Sequence, residues 1–134
     1  MLPDEIKSAM QGVLPSVVIT CSLDGTPNAT VISQVFYVDQ THVALSHQFF
    51  NKTHRNVREN PQVLVAVKCP ETMRMWGLML QFDRAETEGP IFDKMDMQIE
   101  AIASMTGMSG VFKLRSADIY SVNAVMELPT NPVN

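Results

Sequence analysis

The sequence predicts a mainly β protein of the α+β class, a small six-stranded closed barrel with short helices at its ends. Three observations predict it. β-rich runs follow one another with turn residues between them, a helical period appears in only three places, and strands and helices do not alternate as they do in a doubly wound parallel sheet. No glycine-rich loop of the dinucleotide or P-loop kind follows any strand. With 134 residues and 46% hydrophobic content, the chain reads as one domain over 1–134 with a core large enough to fold without staples.

The elements follow in order. Pro3 to Gln11 has an early proline, Asp4 and Glu5 in the first turn and Gly12 as the stop, which predicts a short helix. Ser16 to Leu23 is β-rich, and Asp24-Gly25 supplies the positive-φ turn of a hairpin into a second strand, Asn28 to Val38. Asp39-Gln40 turns the chain into a third strand, His42 to Ser46. After a cationic helix comes Gln62 to Lys68, apolar at every position from Val63 to Val67, as expected of a strand buried on both faces. Thr72 to Glu88 contains a long fifth strand, with Arg74, Trp76, Leu78, Leu80 and Phe82 in one period-2 register. Gly89-Pro90 breaks it. From Ile91 to Met105 the period becomes helical, with Ile91, Met95, Ile99 and Ile102 on one stripe, and Gly107 and Gly110 end that helix. Val111 to Val125 gives the last β segment, and the tail from Glu127 to Asn134 reads as frayed.

The formal charge of −4 excludes non-specific binding to nucleic acid or to acidic membranes, because a phosphate polymer needs a broad field of Lys and Arg. Cys21 and Cys69 are too few for a disulfide framework and lack zinc-site spacing, so both read as reduced residues in or near the core. The N-terminus has no cationic start before an apolar run, and nowhere do about 18 apolar residues follow one another. A cytoplasmic, soluble protein is expected. The three histidines, His42, His47 and His54, fall within one short region, so no histidine metal site built from distant elements is expected.

The most informative stretch runs from Ser46 to Pro61. Asn51 is a good N-cap, Lys52 and Thr53 fall in the first helical turn, and Asn60-Pro61 stops the helix. A helix N-terminus already carries partial positive charge, so Lys52 there is unfavourable unless an anion sits on the free N–H groups. Lys52, Arg55 and Arg58 read equally as a solvated basic face. Between Gly25 and Arg58 the only acid is Asp39, so the region is locally positive in an acidic protein.

A hairpin, a loop with two aromatics, Asn51-Lys52-Thr53 at a helix start, an Asn60-Pro61 stop and a buried strand together resemble the FMN-binding split barrel of the pyridoxamine 5′-phosphate oxidase-like superfamily. The likeness runs from about Gly12 to Val122. Within it, Gln48-Phe49-Phe50-Asn51-Lys52-Thr53 and Glu86-Thr87-Glu88-Gly89-Pro90-Ile91-Phe92 are similar to a bacterial subgroup of unassigned function. The resemblance implies a homodimer with FMN at the subunit interface. Asn51, Lys52 and Thr53 would occupy the phosphate-binding turn, with Lys52 a point charge and Thr53 a hydroxyl donor. Ser33 and Gln34 on the second strand, and Ser46 and His47 at the end of the third, match positions that approach the flavin. From the residues alone, Ser33 and Gln34 read equally as a solvated strand face and His47 as a surface loop residue. Trp76 reads as core or dimer interface, with the interface first, before a flavin wall. The apolar excess of Val63 to Val67, Trp76, Leu78 and Leu80 also predicts a homodimer.

The chain departs from the true oxidases of that family, in which a C-terminal arginine and histidine engage the substrate and basic residues on the second strand help hold the cofactor phosphate. Here the last histidine is His54, and Asn28 to Gln34 carries no cation. The segment Lys113 to Tyr120 offers only scattered charges. Vitamin B6 oxidation is therefore not expected. The implied function is an FMN-dependent oxidoreductase moving hydride or electrons on an organic substrate the sequence does not identify. The alternative is a non-catalytic, sensory module that binds a flavin, a deazaflavin or haem.

Overall fold

A computed structural model describes residues 2–10, 14–32, 35–47, 56–57, 59–105, 107 and 114–129. Pro3 takes extended backbone angles before α1 (Asp4–Ala9), whose first turn is acidic and whose buried residues are Ile6 and Ala9. The Leu2 amide donates to Gln40 O at 3.1 Å, which fastens the chain start to a turn on the far side of the sheet. β1 (Ser16–Cys21) and β2 (Pro27–Ile32) form the expected antiparallel hairpin. Its turn needs Gly25 at φ 86°. β3 (Phe36–Asp39) and β4 (His42–His47) form a second hairpin, whose turn is closed by Asp39 Oδ1 accepting the Thr41 amide at 2.8 Å.

β5 (Gln62–Lys68) and β6 (Met75–Glu86) form a third hairpin, α2 (Pro90–Met105) follows, and β7 (Ser116–Leu128) closes the sheet. The strands lie in the order β2-β1-β5-β6-β7-β4-β3, with every neighbouring pair antiparallel. One core cluster lies inside the barrel and includes Ile6, Val18, Val35, Val43, Leu45, Val65, Leu78, Leu80 and Tyr120. A second lies outside it, where Met95, Ile91, Phe92 and Ile99 of α2 pack on Phe36, Ala44, Ala117 and Ile119. β7 is therefore buried on both faces over its first five residues. No helix among the described residues is long and apolar enough to cross a membrane.

Three expectations need correction. The described residues form seven strands, because the run from Asn28 to Val38 divides: β2 pairs with β1 at one margin of the sheet and β3 with β4 at the other. Both halves alternate with period 2, which does not show where a strand changes partner. β5 is buried on one face only, with Val63, Val65 and Val67 inside and Leu64 and Ala66 half-covered. Trp76, read as interface or core, is half-buried and packs against the barrel core. Glu127 and Leu128 are not frayed: they pair with Trp76 and Met75, and Arg74 grips Glu127 through Nε and Nη2 at 3.0 and 2.6 Å. Ile91, Met95 and Ile99 bear out the stripe of α2, while the side chain of Ile102 lies outside the described part.

Candidate functional site

β4 delivers the chain to the predicted phosphate loop. Its last residues, Ser46 and His47, lie opposite Ala117 and Ser116 of β7. Ser46 is half-buried, on the face that Ala44 and Ala117 turn to α2. The other face carries Leu45 on β4 and, opposite it, Asp118 on β7. Asp118 is 3% exposed, and its Oδ1 accepts the Ser116 hydroxyl at 2.7 Å. Burying a carboxyl without such a partner is costly, so the alcohol two residues away on the same face is what makes the position tenable. Tyr120 comes next on this face, set edge-to-face against Phe82 with ring centroids 5.5 Å apart. Burial, and secondarily the nearby Asp118, push the Tyr120 phenol far above its ordinary range, so it stays protonated.

The downstream end of the basic segment is fastened into the barrel. Asn56, Val57 and Glu59 are helical, and the Asn60 amide donates to Asn56 O at 2.7 Å before Pro61 starts the run into β5. Val57 is buried in the core. Asn56 is 3% exposed, and its Nδ2 donates to Thr20 Oγ1 of β1 at 3.1 Å. The described residues on either side of the predicted loop are thus the end of β4 and a helical segment plugged into the core. Ser33, Gln34, Asn51, Lys52 and Thr53 lie outside the described residues, as do Arg55, Arg58 and the side chain of His47. Of the predicted site, the structure brings Ser46 and His47 to one strand end and shows what flanks the rest. Ser33 and Gln34 follow Ile32 at the end of β2 and precede Val35, which is 1% exposed in the core.

Ser116 and Asp118 are additions that sequence reasoning missed. A polar residue at every second position reads as the solvated side of a strand, and their charge and hydroxyl pass as scattered surface groups. The signal available was the setting: Leu114, Ile119 and Val122 surround them, leaving little room for a wet face.

The family model described as pyridoxamine 5′-phosphate oxidase matches residues 2–123. No curated protein matches this sequence. Among solved structures, an FMN-binding protein from Syntrophomonas wolfei subsp. wolfei superposes with a TM-score of 0.77 at 12% identity, covering 96% of this chain and 89% of its own. An F420 reductase gives 0.65 at 16% identity, covering 93% and 98%. HutZ, the heme storage protein from Vibrio cholerae, gives 0.58 at 19% identity, covering 94% of each chain. These likenesses show a shared split-barrel fold.

Proposed function

The chain belongs to the pyridoxamine 5′-phosphate oxidase family, and from that premise we propose that it is a small FMN-binding flavoprotein acting as an oxidoreductase. The observation that carries the proposal is the span of the family match, 2–123, which runs through every predicted site residue. The donor set suits a phosphate: Asn51, Lys52 and Thr53 offer amide, ammonium and hydroxyl hydrogens, and none of them is a carboxylate. Lys52 would neutralise the phosphate and Thr53 would add a hydroxyl donor at the helix start. Ser33 and Gln34 on one side, and Ser46 and His47 on the other, would flank the ring. Among the described residues the buried carboxyl near that strand end is Asp118, which is 3% exposed and accepts the Ser116 hydroxyl at 2.7 Å. When bound, FMN supplies hydride or single-electron transfer.

A second copy would complete the site. α2 covers the outer face of β3, β4 and the first half of β7, whereas no helix among the described residues packs on the outer face of β1, β5 and β6. That face presents Val17, Ile19, Leu64, Ala66 and Met79 in one register, and its apolar character supports a homodimer.

The test is a visible-absorbance titration of the purified chain with FMN, riboflavin, F420 and haem, followed by addition of a reduced nicotinamide. Saturable uptake of FMN, bleached by the nicotinamide, is expected. Colour without bleaching would make the protein a binding module, and uptake of haem or F420 in place of FMN would overturn the cofactor assignment. Pyridoxamine 5′-phosphate, offered to the FMN-loaded protein, should not be oxidised, because no histidine follows His54.

A further inference from the structure

A cavity of about 400 Å³ lies between α1, β3 and α2. It sits beneath the helices and shares no residue with the uncovered sheet face or with the proposed flavin-binding turn. Its volume falls in the range of small-molecule sites, roughly 300–1,000 Å³, and is too large for a packing void. Of its eleven described lining residues, seven are apolar and none is acidic. The polar ones converge from three elements: Lys7 from α1, Tyr37 from β3, and Lys94 and Gln98 from α2.

Two features indicate what the cavity would take. The first is charge. Lys7 and Lys94 are two cationic residues in a described lining that has no acidic residue, and Lys7 is held against the Tyr37 ring with Nζ 4.5 Å from its centroid. Lys7 pairs with Asp4 at 3.5 Å, but Asp4 is 97% exposed, so the pair is well screened by water. The second is an orphan. Gln98 Oε1 is buried without a hydrogen-bond partner among the described residues. Since amide oxygen and nitrogen are interchangeable by a flip, Gln98 can turn either an acceptor or a donor into the cavity. Met10, beside α1, and Met95 of α2 line the cavity as well, and their thioethers adapt to an apolar body without fixing its outline.

We propose that this cavity is a binding site for a small organic anion, a carboxylate borne on an apolar body. The lysines recognise the charge, Gln98 takes the remaining polar atom, and Met10 and Met95 line the body. The site stands whether or not the chain takes a flavin.

The test uses 1-naphthoate and its neutral counterpart, 1-naphthamide, added to the full chain labelled with ¹³C at the methionine methyls. Met10 and Met95 report from the cavity, while Met97 and Met105, largely exposed, serve as controls. The naphthoate should shift the Met10 and Met95 methyls saturably below about 1 mM and bind at least about tenfold more tightly than the amide. Lys7→Met with Lys94→Met should bring the acid down to the affinity of the amide. Gln98→Leu should weaken both ligands about fivefold, the effect of one lost neutral hydrogen bond. Unmoved Met10 and Met95 methyls, equal binding of acid and amide, or lysine variants that bind like the parent would each overturn the proposal. The replaced lysines are surface groups, so an unchanged methyl spectrum of the free variants verifies the fold. FMN uptake, followed separately by absorbance, keeps the fate of the flavin assignment distinct.

Discussion

The sequence predicts Lys52 in the first turn of a helix, where a cation works against the dipole until an anion arrives, and this makes it the most direct residue-level test of the flavin assignment. Lys52→Ala should weaken FMN binding by about 1.5–3 kcal/mol, the value of a charge-assisted hydrogen bond, or about ten- to a hundredfold. Riboflavin, which lacks the phosphate, should bind the variant as it binds the parent, and stability without cofactor should barely change. Equal losses for FMN and riboflavin would return Lys52 to a solvated basic face. Arg58→Ala, further along the same segment, should cost less. What holds this segment to the barrel was only half visible in the sequence. The Asn60-Pro61 stop is a local signal and is borne out. Asn56, whose amide reaches Thr20 inside the barrel, looks like any polar helix residue until β1 is laid beside it, since the contact spans 36 residues of sequence.

Elements with local chemistry were legible, and those defined by distant partners were not. The β1–β2 turn is of the first kind. Asp24-Gly25 announces it, and the structure adds the Ser22 hydroxyl and the Thr26 amide, both donating to Asp24. The Ser22 hydroxyl first, and Thr26 after it, hold the Asp24 carboxyl down from an ordinary 3.8 to about 2. A carboxyl whose folded value is depressed lends its stability in full above the unfolded value. The turn's contribution should therefore be complete above about pH 3.8 and fade as the pH falls through about 2. Carboxyl ¹³C shifts should show that midpoint, and Ser22→Ala should raise it; a parent midpoint near 3.8 would mean the turn does not form as described. The other kind is seen in the run from Asn28 to Val38. Its pattern fits strand throughout, and only the pairing of β3 with β4, far from β1, reveals two elements. Glu127 is similar. It reads as tail, and it becomes strand because Arg74 of β6 offers it both ends of a guanidinium fork and also reaches Glu5 of α1 at 2.9 Å.

At the scale of the whole molecule, the asymmetry between the two faces of the sheet decides what the chain does next. The inner face closes on itself as the barrel core, and α2 seals part of the outer face, but the helices end there. Across the remaining outer face the register runs Val31, Val17, Ala66, Gly77, Met126. Val31 is 67% and Met126 42% exposed at its two margins. Gly77 lies toward one end of that row, and a Cβ there would stand 3.3 Å from Met126 and Leu128, so these two side chains already lie across it. The sequence placed apolar residues on this face without saying that it stays open, because a strand apolar throughout reads as buried on both sides whether a helix or a second copy buries it. A symmetric dimer covers such a face with no helix to spare. Light scattering should therefore find two copies at micromolar concentration. Val31→Glu combined with Met126→Glu should give a monomer that keeps its β circular dichroism, since both positions are exposed in the single chain and a carboxylate there meets water until the partner arrives. Because the flavin assignment places the cofactor between subunits, that monomer should also lose FMN affinity at unchanged Lys52. A parent chain that is already monomeric, or a double variant that stays dimeric, would place the interface elsewhere.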